Sequence, residues 1–577
     1  MTENKTFSRQ QEATILFLLL VGSLLFYLSF FNDFAVPRSD FFAFHDKALS
    51  YLNFELPSHY KREPLYPVLI ASFSLLSNSS TLFAAETINL VLAVLNVSLV
   101  YLISTYFLGR MGFFAALFFA INPSTAEMAS QPILETLLLT GILFTFLLSL
   151  NNRAWSYLAA FLASLVRYEA VFLIPILILK DFFIAKKRLR AVWLGLLSSM
   201  GIITWMALSI LHHPGEVNPY ISQLSLGIGE IRFLYNIPLT VFGFIPGFSL
   251  AGFYFRLLVV ISSILALLGI VSLVRSSFSS IFPIACFFLV YFVVHALYPS
   301  INAPLRYVWP ILWIFYLFIF KGVQILLSYI EGKNALNLFN FRPLGFLFMF
   351  CGIIFILISF LVFKKIYDTE RWLLILSYGL FSLTLVAYFF YWLKENEFKY
   401  LSFFVVLCFI VVDIVGFGLL EANSYLKYDR KYYRAQQREV AEWYSKLAKQ
   451  GDIMAVSEPE VVRYFSGLEK GYFIALGELK GNTVSDFLSD VQKKKITYLV
   501  WDSHYSEIKE KGTRQRFGSD LYAYFSDPLF ADHFEVIKEI NAEKWRSKGQ
   551  KAIIFKVRMA GNEGQDGCDA PPVKRGD

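Results

Sequence analysis

The chain has 577 residues, 56% of them hydrophobic and only 17% charged, with a mean hydropathy of +0.54. A soluble domain carries about 25% charged residues, so this balance excludes an ordinary soluble enzyme. The net charge of +8 is accounted for by basic loops at a membrane face and calls for no nucleic acid.

Several apolar runs reach the roughly 20 residues that a helix needs to cross a bilayer. Solid runs of this kind exclude a β-barrel, whose strands alternate in short segments. Lys5 and Arg9 precede the first run, Ala13 to Phe31, which reads as a retained helix with its N-terminal end in the cytoplasm. The loop after it, residues 32–82, is then external. It holds Asp40, His45 and Lys61-Arg62-Glu63-Pro64. Pro64 to Leu76 is apolar but short, as in an interfacial or re-entrant helix. Leu82 to Leu108 returns inward to a tight turn at Gly109-Arg110-Met111-Gly112, and Met111 to Ile121 goes out. Asn122-Pro123 opens a second external loop that ends near Gln131-Pro132, and Ile133 to Leu150 goes in.

Trp155 to Val166 and Val171 to Phe183 are separated by Arg167-Tyr168-Glu169. The basic cluster Lys186-Lys187-Arg188-Arg190 belongs in the cytoplasm, which makes these two runs an out-and-back pair with Arg167 and Glu169 at the external turn. Ala191 to Leu211 goes out. A Pro- and Gly-bearing external segment runs from His212 to Arg256. Leu257 to Val274, Phe278 to Leu297, Leu305 to Leu327, Leu344 to Phe363, Trp372 to Leu393 and Tyr400 to Leu420 complete about 13 spans. An odd count places the C-terminal region outside.

After Glu421 the composition becomes that of a soluble domain. Asp452 to Ser457 and Ile496 to Trp501 read as strands, Pro459 to Phe465 and Thr483 to Lys494 as helices, and Phe534 to Ile540 with Lys551 to Val557 as an antiparallel pair. This is a small α/β domain with neither a GxGxxG after a strand nor a Walker motif. The division is therefore 1–420 in the membrane, 421–560 as an extracytoplasmic α/β domain, and 561–577 as a disordered tail. Cys286, Cys351, Cys408 and Cys568 have no metal-ligand spacing.

Acids, bases and aromatics thus gather on one face: Asp40, His45, Lys61, Arg62, Glu63, Glu127, Glu135, Arg167, Glu169, Arg306 and Tyr307. Ionisable residues that border or enter apolar runs, as Glu135, Arg167 and Arg306 do, are costly and usually functional. For each alone, snorkelling at a helix end is the plainer role. Their convergence on one side is what points to a site.

The pattern resembles the GT-C superfamily of polyprenyl-phosphate-sugar glycosyltransferases, in its protein O-mannosyltransferase and aminoarabinose-transferase branch. The residues that carry the resemblance are Ser39-Asp40 with Ala48, Arg62-Glu63-Pro64-Leu65-Tyr66-Pro67, Pro132-Ile133-Leu134-Glu135-Thr136, Leu165-Val166-Arg167-Tyr168-Glu169 and Arg306-Tyr307. They span roughly the first 330 residues in matching order and sidedness. The chain departs from the pattern in having Asp40-Phe41 where an acidic pair is frequent, and Glu63 where some relatives have Lys before the proline.

The resemblance implies a GT-C fold and transfer of a sugar from a polyprenyl-phosphate donor to an acceptor hydroxyl on a protein, lipid or glycan. Transfer would occur at the outer face of the cell (inner) membrane, by inverting displacement. An acceptor hydroxyl needs a base, here Asp40 with Glu135. A lipid-phosphate leaving group needs cations, here Lys61, Arg62, Arg167 and Arg306. His45, Tyr66, Glu169 and Tyr307 are the expected substrate contacts. Asp40, Glu135 and the phosphate could share a divalent ion such as Mg, Mn or Ca. Two other classes compete. A transporter or flippase would show paired halves and broken helices at mid-depth. A membrane-anchored binding scaffold would leave the work to the soluble domain.

Overall fold

The computed structural model describes residues 9–31, 35–56, 63–212, 252–296, 309–332, 372–395, 434–479, 483–502, 524–525, 527–541 and 551–558. The runs Leu344–Phe363 and Tyr400–Leu420, most of the segment 212–256 and the tail 561–577 lie outside them, so the expected span count falls partly outside as well. The described residues hold five helices long and apolar enough to cross a membrane, or six if one bent pair counts as a span. The chain is a polytopic α-helical membrane protein with a small C-terminal α/β domain.

Two compact units divide it. The first comprises Met1–Asp33 and Ala43–Lys427, the second Phe34–Phe42 and Tyr428–Asp577. The start of the first loop therefore groups with the C-terminal unit, and the division falls inside one helix.

In the first unit, α1 (Arg9–Leu28) packs on the helix Trp372–Glu395, where the Phe26 and Phe381 rings meet edge to face at 6.3 Å. Then come α2 (Ser39–Leu52), the short apolar α3 (Leu65–Ser77) and the long α4 (Thr81–Leu108). A turn at Gly109 (φ 56°) reverses the chain into α5 (Gly112–Ile121). A Cβ on Gly112 would lie 2.4 Å from the Thr105 backbone nitrogen, so α5 folds back on α4 at a distance only glycine permits.

The segment expected to be a loop, 122–132, is instead mostly helical: α6 is Pro123–Ser130. The Asn122 side chain caps it by accepting the Ser124 N–H at 2.8 Å, with Pro123 at the first helical position. A 111° bend separates α6 from α7 (Glu135–Leu150). There follow α8 (Trp155–Ser164), a 3₁₀ turn Tyr168–Phe172, α9 (Leu173–Leu179) and α10 (Arg188–His212). Helix α11 (Gly252–Ala296) breaks at Ser277 (φ −144°, ψ 39°), just past the expected turn at Arg275. Helix α12 (Leu312–Gly332) crosses α11 closely, with Gly322 facing Leu265 and Gly269 facing Phe318.

The second unit has a five-stranded sheet in the order β2-β1-β3-β5-β4. The strands are β1 (Met454–Val456), β2 (Phe473–Ala475), β3 (Tyr498–Asp502), β4 (Phe534–Asn541) and β5 (Lys551–Val557). β1 pairs in parallel with β2 and β3, while β5 pairs antiparallel with β3 and β4. Side-chain alternation sends Met454 and Val456 to one face and Ala455 to the other. The first face packs on the helices Ala435–Tyr444 and Pro459–Ser466 through Val440, Tyr444 and Val462. The second packs on Val484–Lys493 through Phe487, Leu488 and Val491. Strand β2 and the helix Ala435–Tyr444 are additions to the elements expected from sequence. The Phe34–Phe42 segment joins this unit through Phe41 and Phe42, whose rings lie 5.7 and 5.5 Å from Tyr464, and through Arg438 donating to the Ala35 carbonyl at 3.4 Å.

Candidate functional site

The bend between α6 and α7 leaves backbone carbonyls without helical partners. Asn89, fully buried on α4, satisfies two of them: its amide donates to Gln131 O at 2.5 Å and Ile133 O at 2.7 Å. Its own Oδ1 accepts the Tyr66 hydroxyl at 3.2 Å. Two turns further along α4, Asn96 donates to Thr136 O at 3.0 Å and accepts from Thr140 at 2.9 Å. On the far side, Asn122 donates to the Tyr316 hydroxyl at 2.9 Å, and Trp309 donates to Thr125 Oγ1 at 3.0 Å. The bend is therefore clamped on two sides, and what it presents is Glu135 in the first turn of α7. A carboxylate there also meets the positive end of the helix dipole.

Glu135 is 0% exposed and accepts Arg167 Nη1 at 2.9 Å. Arg167 Nε lies 3.0 Å from both carboxylate oxygens of Glu169. Glu63 closes the cluster from the start of α3: its Oε1 accepts the Tyr168 backbone N–H at 2.9 Å. The Leu65 N–H to Leu165 O bond, 3.2 Å, holds the two strands of chain together. Among the described residues, three buried or half-buried carboxylates thus face one guanidinium. Burial raises the Glu63 pKa to about 7, and the Glu169 charge adds to the rise against the pull of Arg167 and the Tyr168 N–H. The arrangement holds Arg167 in one orientation and gives the cluster a proton that exchanges near neutral pH.

Of the residues expected from sequence, Glu135, Arg167 and Glu169 come together. Glu63, read only as a loop charge and a departure from the family pattern, proves to be their neighbour. Tyr66 is buried with its hydroxyl on Asn89 and its ring against Phe44, within electrostatic reach of Glu135. His45 has its Nδ1 at 2.6 Å from Thr81 Oγ1, where it ties α2 to the start of α4. Asp40 stands in the first turn of α2, half-buried, one residue inside the helix and so past the N-cap position. It belongs to the segment that groups with the C-terminal unit. Lys61, Arg62, Arg306 and Tyr307 lie outside the described residues.

The expected divalent ion would draw on Asp40, Glu135 and the donor phosphate. Glu135 already gives Oε1 to a guanidinium, and the described residues bring no three His, Cys, Asp or Glu side chains together in a metal-holding group.

No protein-family model and no curated protein matches the chain by sequence. Solved structures do match it. ArnT of Cupriavidus metallidurans, bound to undecaprenyl phosphate, aligns with a TM-score of 0.51 at 11% identity over 94% of this chain and 98% of that one. The oligosaccharyltransferase of Archaeoglobus fulgidus, tethered to an acceptor peptide, aligns at 0.54 and 11% identity over 92% of this chain and 72% of that one. AglB of the same organism, with an inhibitory peptide and dolichol-phosphate, aligns at 0.53 and 12% identity over 89% and 72%. The fold is the GT-C fold. At these identities the likeness speaks for architecture.

Proposed function

We propose that this protein transfers a sugar from a polyprenyl-phosphate carrier to an acceptor hydroxyl at the extracytoplasmic face of the membrane. The observation that carries the reading is the buried Glu135–Arg167–Glu169 cluster, displayed at a clamped helix break in a chain whose GT-C fold spans nearly its whole length. Of the similar solved structures, one holds undecaprenyl phosphate, one holds dolichol-phosphate with an inhibitory peptide, and one holds an acceptor peptide. The same ligand classes suit this chain: an apolar helical body for the prenyl tail and cations for the phosphate.

In this mechanism Asp40 is the base. It takes the proton from the acceptor hydroxyl as the oxygen attacks the anomeric carbon, and the bond to the carrier phosphate breaks with inversion. Arg167, with Arg62 and Arg306, offsets the charge that develops on the leaving phosphate. Glu135 and Glu169 keep the Arg167 guanidinium from swinging away. Residues 1–420 form the catalytic body, and 421–560 form the extracytoplasmic domain.

Purified protein supplied with radiolabelled polyprenyl-phosphate sugars should transfer label to acceptor. Absence of transfer from every such donor, together with flux of a lipid-linked substrate in vesicles, would replace the reading with a transporter. Activity that dies on chelation and returns with Mg or Mn would show that transfer uses a divalent ion.

A further inference from the structure

One end of the helical body carries charge that sugar transfer does not use. Helix α8 begins just after Arg153 and leads to the Arg167 turn, so Arg153 lies at the opposite end from the Glu135–Arg167–Glu169 cluster. Between Glu135 and Glu216 the sequence has only two acids, Glu169 and Asp181. Asp181 is buried and ion-paired with Arg190 at 2.8 Å. Arg153, Lys186, Lys187 and Arg188 are exposed, and among the described residues no ion pair joins any of them to an acid. An excess of basic residues sets orientation in any membrane protein, so their number alone would carry no site. The way the fold gathers them does.

Arg190 is the tie. Its Nε pairs with Asp181 and its Nη1 donates to the Asn152 carbonyl at 2.8 Å, which seats the Arg153 turn beside the start of α10. Ser198 donates to the Tyr157 carbonyl at 3.1 Å and makes a second rung between α8 and α10. Trp155 and Trp193 both fall between the rungs, so they stand at one depth, 66% and 61% exposed. Lys186 has a φ of 56°, the left-handed conformation that closes the turn Lys180–Ile184. There the Lys187 N–H donates to Asp181 O at 2.7 Å and the Ala185 N–H to Lys180 O at 2.9 Å. Glycine fits that position without strain, so a lysine is held there against backbone preference. The Arg188 guanidinium is steadied 5.3 Å over the Phe182 ring. Lys187 precedes α10, and its side chain has no acceptor with which to cap the first-turn N–H groups. An anion would cap them and meet the positive end of the helix dipole.

We infer that this patch binds the phosphate headgroup of an anionic phospholipid. The phosphate oxygens accept from Arg153, Lys187 and Arg188 at the start of α10, and the acyl chains lie along Trp155 and Trp193. Tryptophans at one depth beside a group of cations suit the headgroup level of a bilayer, which a soluble anion would not need. The orientation proposed above sets this end in the cytoplasmic leaflet, where anionic lipids gather. Binding in detergent depends neither on that orientation nor on sugar transfer.

The test is native mass spectrometry of the full-length protein in detergent, titrated with phosphatidylglycerol or with phosphatidylcholine of the same chains. Wild type should bind phosphatidylglycerol about tenfold or more tightly than phosphatidylcholine. Each of Arg153→Gln, Lys187→Gln and Arg188→Gln should weaken phosphatidylglycerol by about fivefold and leave phosphatidylcholine unchanged. Lys186→Gly should weaken it too, at a melting temperature no lower than that of wild type, because glycine relieves the left-handed turn. Lys538→Gln, which removes an exposed charge of the C-terminal domain, should change nothing. Equal affinity of wild type for the two lipids, or unchanged phosphatidylglycerol affinity in all three glutamine variants, overturns the site. Full displacement of the lipid by inorganic phosphate at the same concentration would make the occupant a soluble anion and overturn the lipid.

Discussion

The pairing of Glu135 with Arg167 can be weighed by a double-mutant cycle. The perturbations are Arg167→Met and Glu135→Gln, alone and together. Glu135 has no exposed surface, and the Arg167 side chain is 10% exposed, so solvent screens the pair little. With about 4 Å between charge centres and an effective dielectric near 20, their attraction is about 4 kcal/mol. Arg167→Met leaves Glu135 buried and short of its guanidinium, and should cost about 3–5 kcal/mol. Glu135→Gln should cost less, because Arg167 keeps Glu169 at 3.0 Å. The double variant should recover part of the loss, since neither charge is then stranded, with a coupling of about 2–3 kcal/mol. The assay is reversible unfolding in mixed detergent micelles, followed by tryptophan fluorescence. Additive losses, with coupling under about 0.5 kcal/mol, would show that the pair does not hold the α7 entry to the Arg167 turn and would refute the reasoning.

Glu63 has its pKa raised to about 7 by burial, so its stabilising proton is present below about 4.5 and is lost as pH rises through 7; wild type should lose about 3 kcal/mol more than Glu63→Gln over that window. Equal pH slopes for the two proteins between pH 5 and 8 would contradict this. Asn89→Leu strands the Gln131 and Ile133 carbonyls and should cost about 2–4 kcal/mol, measured in the same unfolding assay; a cost under about 0.5 would mean that the bend holds without the clamp. Asp40→Asn, which keeps the side chain's shape, should fold and bind donor yet lose at least about a hundredfold in turnover, and near-normal turnover would move the base to Glu135 or His45.

Hydropathy alone determined much of this protein. A run of about 20 apolar residues has no other way to satisfy its backbone in lipid than as a helix, so α1, α4 and α10 and the turn near Arg275 were legible. So were β1, β3, β4 and β5, each bounded by polar residues and patterned for a sheet. Phe473–Ala475 was not: three residues are too few to show a period, and β2 exists because the β1 edge is there to pair with it. The helix α6 did have a signal, Asn122-Pro123 as cap and first residue, hidden by the expectation of a loop between two spans.

The site divides along the same line. Arg167 and Glu169 are two residues apart, and their pairing could be guessed from the sequence. Glu135 is 32 residues from Arg167, Glu63 is 105 from Tyr168, and Asn89 is 42 from Gln131. Desolvation and pairing depend on distance in space, so only the folded chain decided that Glu63 belongs with Arg167 and that His45 meets Thr81. The same holds for Phe34–Phe42, which a hydropathy profile assigns to a membrane loop and which Tyr464 and Arg438 draw into the C-terminal unit.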